Sequence, residues 1–178
     1  MHYLTLFYVA VATMAATSQA SGSSHRKKAP CLRDDEALHI ANRWLSIFST
    51  GGVSGKAEVA KIVSKDLVSA DDTFGPPTFG IDAFWEAITP PANSPRTTTN
   101  VTQSTNFLIH TCDQIAFNWQ YRGVTTGFNS TVPAGTSVAF TGNDIIQVDL
   151  KTRLISNATS SGQWILLAQQ LGGRSCGV

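Results

Sequence analysis

The sequence predicts an α+β domain: helices first, then a curved, mainly antiparallel sheet wrapped round them into a cone. Three observations carry this. Apolar residues recur with a period of about 3.6 as far as Pro91 and with a period of about 2 from residue 97 onward. The helical stretches precede the strands instead of alternating with them, which puts the two kinds of element on separate layers. Long aromatics occur on both kinds, which asks for a sheet curled round a helix with an apolar pocket between them.

The first helix is read from Ala37, Ile40, Ala41, Trp44, Leu45 and Phe48, one stripe at i, i+3, i+4, i+7, i+8 and i+11. Asp34 and Asp35 suit its positive end, and Gly51-Gly52 stops it. A second, short helix fits Lys56 to Lys65, with Val59, Ile62 and Val63 on one side, and Leu67 to Asp71 reads as a short strand. Ile81, Phe84, Trp85 and Ile88 form a third helical stripe, ended by Pro90-Pro91. Thr97 to Thr111 is rich in β-formers. Ile115, Phe117, Trp119 and Tyr121 then alternate with Ala116, Asn118, Gln120 and Arg122, a strand with one dry face. Val138, Phe140, Asp144, Ile146 and Val148 share one parity in the next strand, and Trp164 to Leu171 reads as the last.

At 178 residues and 19.0 kDa the chain has room for one domain, here residues 31–173. Its 42% apolar content supplies a core. Thirteen Lys+Arg against twelve Asp+Glu leave a net charge of +1, which gives no footprint for nucleic acid or an anionic membrane. Residues 1–20 read as a signal peptide: Tyr3 to Ala16 is apolar but too short to span a bilayer, and Ser18-Gln19-Ala20 offers small residues for cleavage. Residues 21–30, with Arg26-Lys27-Lys28, form a polar leader, and residues 174–178 a tail. The expectation is a secreted protein with no membrane span after cleavage. Asn100, Asn129 and Asn157 each open a glycosylation sequon. Three cysteines allow one bridge and one leftover; Cys31–Cys112 is the preferred pair, with Cys31–Cys176 close behind.

Asp144 is the most informative residue. Its parity puts a carboxylate among Phe140, Ile146 and Val148, where lost hydration raises its pKa and makes it a proton acceptor. The alternative is a bulge at Gly142-Asn143 that turns it outward. His110, sharing a face with Asn106 and Leu108, is the second candidate, and Tyr121 a third, as a donor to a developing oxyanion. Trp44, Phe48, Trp85, Phe117, Trp119 and Trp164 are the candidate lining for a small, flat, apolar ligand. Asp71 and Asp72 precede a Gly-Pro-Pro loop and are read at the pocket mouth or in a solvated turn. The chain has no nucleophile elbow, phosphate loop or dinucleotide fingerprint, and no cluster with metal-ligand spacing. Neither a cofactor nor a metal is expected.

Several segments together resemble a known family. Ile115-Ala116-Phe117-Asn118-Trp119, Gly123 to Phe128, Pro133-Ala134-Gly135, Phe140-Thr141-Gly142-Asn143-Asp144-Ile145-Ile146 and Leu166 to Gly172 look like the C-terminal half of SnoaL-like polyketide cyclases, within the nuclear-transport-factor-2-like superfamily. The likeness is continuous over about 115–172 and extends loosely to Asp66–Ile88. It implies the cone-shaped α+β fold, and it implies a strand carboxylate, here Asp144, that takes a proton next to a carbonyl before an aldol-type ring closure. Two positions depart from the pattern. The histidine common in the family's G-T-H-T-G segment is Thr125 here, and no Asp follows Leu154-Ile155 before Trp164, so His110 would have to supply the partner group from another strand. Together with the leader, Cys112-Asp113 is similar to small secreted fungal members of the superfamily. The resemblance implies cyclisation, isomerisation or dehydration of a ring-bearing metabolite such as a polyketide. The alternatives are a non-catalytic pocket for an apolar ligand and an interaction protein whose sheet forms a homodimer.

Overall fold

The computed structural model describes residues 30–71, 73–91 and 93–173. Residues 1–20, nearly all of the leader, the tail with Cys176, and Asp72 therefore lie outside the described residues. Helix α1, Asp34–Ser46, starts on three acidic residues and buries Ala37, Ile40, Ala41, Trp44 and Leu45, the stripe the sequence predicts. Phe48 falls just past its end. The second helix is shorter than its sequence suggests: α2 is only Lys56–Val59, and β1 already begins at Val63 and runs to Asp71. Val63 and Leu67 are among the most buried residues, and their β-branched and apolar side chains fit the sheet at least as well as a helix.

A two-residue strand β2, Thr78–Phe79, follows, then α3, Gly80–Ile88, with Phe84 buried. Three long strands come next: β3 Thr98–His110, β4 Gln114–Thr125 and β5 Ser137–Val148. The six-stranded sheet has the order β2-β1-β6-β5-β4-β3, and all pairs are antiparallel except β1 with β6. Strand β6, Ile155–Gly162, thus sits near the middle of the sheet.

Here the structure corrects the sequence reading. Trp164–Gln170 is a helix, α4, and the last strand is Ile155–Gly162. Trp-Ile-Leu-Leu-Ala-Gln-Gln has no alternation and is rich in straight-chain helix formers. Strand β6 is polar and buries only Ile155 and Ala158, so its period was too faint to mark it. On β3 a register shift between Thr105 and Phe107 interrupts the alternation, so Asn106 bonds Asn118 while Leu108 and His110 follow the opposite parity rule.

The inner face of the sheet closes over α1 and α3. Trp44 stacks on Phe84 at 5.6 Å and meets Phe48 edge-on at 5.2 Å. Tyr121, Phe140 and Trp164 continue the aromatic layer on the sheet side. Cys31 and Cys112 form a disulfide that joins the entry to α1 to the β3–β4 turn, one of the two pairings the sequence left open.

Candidate functional site

Strand β5 pairs with β4 without a break through Gly142, so no bulge turns Asp144 outward. Asp144 faces the core and is only 3% exposed. Both of its oxygens are held. Trp44 Nε1, from α1, donates to Oδ2 at 2.7 Å, and Trp119 Nε1, from β4, donates to Oδ1 at 2.8 Å. An indole N–H can only donate, so this clamp accepts a carboxylate and disfavours a second donor in its place.

The approach of Trp119 depends on Gly142, its neighbour across β4 and β5. A Cβ there would lie 2.1 Å from Trp119 Cζ2, so the indole can lie on the strand only where no side chain exists. Burial drives the Asp144 carboxyl upward from its usual range. Hydrogen bonds from Trp119, Trp44 and Ser160 oppose that rise, and the like charge of Asp71 adds to it.

Ser160 and Asp71 extend the site across the sheet. Asp144 pairs with Ser160 on β6, and Ser160 pairs with Asp71 on β1, so the three residues form one row over three strands. All three line a chamber of about 590 Å³ between the sheet, α3 and the segment after α1. That volume suits a small multi-ring molecule. Asp71 thus lies on the chamber wall, and its Oδ1 also accepts the Thr73 N–H.

The aromatic lining divides. Phe48, Trp85, Trp119 and Trp164 line the chamber. Trp44 and Phe117 do not: Trp44 is wholly buried behind the wall and touches the site through its N–H, and Phe117 packs in the core beside Asp144 on β4. Trp164 reaches the chamber from a helix, where it meets Phe74 edge-on and Phe140 at a tilt, each at 4.8 Å.

Tyr121 is on the lining, its hydroxyl 2.8 Å from Thr98 Oγ1, and burial raises its pKa against that hydrogen bond. His110 is not on the lining. It ends β3 beside the start of α1, with Nε2 2.9 Å from Asp34 Oδ1 and Nδ1 2.8 Å from the Thr111 carbonyl. The Asp34 hydrogen bond raises its pKa, but the ring takes no part in the chamber. Thr125 is likewise structural: buried, it donates to the Pro133 carbonyl at 2.6 Å.

Sequence reasoning missed Ser160, because a serine in a weak strand gives no signal of its own. It also missed the partnership of Trp44 with Asp144, although a lone glycine inside a strand pattern was a usable sign of close approach at Trp119. Asn100, Asn129 and Asn157 are all exposed. Among the described residues, no group of three or more His, Cys, Asp or Glu is placed to hold a metal ion.

A family model for an NTF2-like domain matches residues 30–174. No curated protein matches the chain. Among solved structures, TsrD from Streptomyces laurentii superposes with a TM-score of 0.60 at 16% identity, over 80% of this chain and 99% of its own. A protein named as a SnoaL-like polyketide cyclase from Shewanella putrefaciens gives 0.60 at 10% identity, over 77% and 96%. A protein with a ketosteroid isomerase-like fold from Catenulispora acidiphila, in complex with trimethylamine, gives 0.59 at 12%, over 78% and 96%. At such identities the likeness is one of fold.

Proposed function

This chain belongs to the NTF2-like domain family, and on that premise we propose that it is a secreted protein that performs acid–base chemistry on a small ring-bearing metabolite such as a polyketide. The reaction is a cyclisation, isomerisation or dehydration without a cofactor. One observation carries the reading: a carboxylate held at both oxygens by indole N–H groups stands in the wall of an aromatic chamber. The names of the structural neighbours point the same way by analogy. A disulfide between residues 81 apart in sequence supports passage through an oxidising compartment.

In the first step an Asp144 oxygen takes a proton from the carbon next to a substrate carbonyl. The C–H electron pair moves into the new C=C bond and the carbonyl oxygen becomes an enolate. Tyr121, whose hydroxyl can accept from Thr98 while donating into the chamber, is the group that meets that oxygen. The enolate carbon then closes on a second carbonyl, whose oxygen takes the proton held by Asp144; in an isomerisation that proton returns to another carbon, and in a dehydration it leaves with the expelled hydroxide as water. Burial makes Asp144 a stronger base than a solvated aspartate, and the chamber holds the reacting carbon against it.

The test uses 2-tetralone, a two-ring ketone with exchangeable α-hydrogens, in D2O, with deuterium uptake followed by NMR. Wild-type protein speeds uptake, and Asp144→Asn lowers the enzymatic rate roughly 100-fold or more. Equal rates in the two proteins reject Asp144 as the base. The second reading, a binding pocket without turnover, is favoured by the same clamp, since both oxygens already have partners. It predicts that 2-tetralone binds and uptake stays at the buffer rate.

A further inference from the structure

The chamber is electrically lopsided. Its acidic row, Asp71 and Asp144 with Ser160 between them, lies on β1, β5 and β6. Arg96 is the one lysine or arginine on its lining among the described residues, and it precedes β3, the opposite edge of the sheet in strand order. The Arg96 backbone is fixed, because its carbonyl accepts a hydrogen bond from Thr126 Oγ1 beside the end of β4. Its side chain is exposed, and among the described residues its guanidinium has no ion-pair or hydrogen-bond partner.

A neutral apolar ligand forms no ion pair with such a neighbour, whose exposed guanidinium keeps its water. An anionic ligand gains a charge-assisted pair, for which the bidentate guanidinium fork is suited. The same anion placed next to Asp71 and Asp144 would be repelled. The layout therefore favours one orientation, with the anionic end at the rim and the uncharged ring, with its acidic carbon, toward Asp144.

From this we infer that Arg96 selects ring-bearing ligands carrying a carboxylate or similar anionic substituent and sets their direction of entry. The inference rests on the proposed use of the chamber for a ring-bearing ligand and adds the charge of that ligand and the residue that reads it. Without Arg96 the lining keeps two carboxylates and no cation, so discrimination should disappear or reverse.

The experiment compares 2-naphthoate with 2-acetylnaphthalene, which share one ring system and differ in an anionic oxygen against a methyl group. Binding to the whole protein is measured by calorimetry, with mutual displacement as the check for a single site. Wild-type protein binds 2-naphthoate about 3- to 10-fold more tightly, and the margin shrinks with added salt. Arg96→Gln removes or inverts that margin while binding of 2-acetylnaphthalene is unchanged, and Arg96→Lys keeps part of it. Arg96 is at the surface, so both variants should keep the wild-type melting temperature. Equal affinity in wild-type protein, or a margin that survives Arg96→Gln, overturns the role of Arg96 and leaves the chamber reading standing. Binding of neither compound overturns both.

Discussion

A carboxylate that is 3% exposed and bonded to two indoles is one of the least replaceable groups in the chain. Asparagine matches its shape but not its chemistry. One end of the amide is a donor, so one of the two indole N–H groups would face another N–H. Asp144→Asn therefore destabilises the fold by about 1–3 kcal/mol, the cost of a buried polar group left unpaired. Urea denaturation measures this; a neutral result means the clamp is dispensable. The acidity of Asp144 makes a related prediction. Because the carboxyl titrates at higher pH in the fold than in the unfolded chain, the folded protein keeps a proton over an interval in which the unfolded chain has lost it. Stability from this group is thus greatest below the unfolded pKa and falls as pH rises, levelling off above the folded pKa. Trp119→Phe removes one donor from the anion and moves that upper limit to higher pH, which carbon-13 carboxyl shifts will follow directly; an unmoved midpoint would show that Trp119 does not hold the charge. Strand parity alone was enough to place Asp144 on the dry face. It could not name Trp44 as its partner, because parity tells which side a residue faces and not which residue of a helix 100 positions away meets it.

Among the elements, legibility followed the strength of the apolar period. Helix α1 and strands β4 and β5 alternate cleanly between buried and open positions, and their bounds were readable to within a few residues. Strand β6 was hidden because between Ile155 and Gly162 it is made of Ser, Asn, Ala and Thr, and it is held mostly by neighbours on both sides rather than by its own side chains. The same strand supplies Ser160, so the weak element and the missed site residue are one failure. His110 was misplaced for a local reason: the register shift in β3 resets the faces, and the end of the strand then meets α1 instead of the chamber. Strand β5 has the opposite property, in that its register is pinned by an absent side chain. Gly142→Ala would set a methyl 2.1 Å from the Trp119 ring, and a buried indole has no free path away. The substitution costs about 1–3 kcal/mol and displaces the ring from Asp144. The Trp119 indole proton, shifted by its carboxylate partner, should return toward the free position in an NMR spectrum. An unchanged resonance would mean that the strand, and not the ring, gives way.

At the scale of the whole molecule, the site needs two layers to stay in register. Trp44 comes from the helix layer and Trp119 and Asp144 from the sheet, so sliding α1 along the sheet would open the clamp. Several ties at the entry to α1 oppose that slide. Cys31 is bonded to Cys112 at the β3–β4 turn, and the Leu32 N–H donates to the Cys112 carbonyl at 3.0 Å. Arg153, in the β5–β6 turn, pairs with Glu36 at 3.0 Å and donates to the Pro30 carbonyl at 3.1 Å. The disulfide is the strongest of them, since its bond closes a loop between residues 81 apart and removes much of the freedom of the unfolded chain. The sequence narrowed the bridge to two pairings and preferred Cys31–Cys112, the one the structure shows, although cysteine spacing alone carries little information on which ends meet. Replacing Cys31 and Cys112 together by serine should cost about 4 kcal/mol and lower the melting temperature by roughly 10 °C. The variant is also expected to loosen the site from a distance. If α1 is registered by this bridge, the Trp44 indole proton broadens or moves below the new melting point, while the Trp119 proton, carried on the same sheet as Asp144, holds its position. Equal changes at both indoles would mean that the sheet itself has opened, and no change at either would assign the registration to Arg153 and the packing of Trp44 on Phe84.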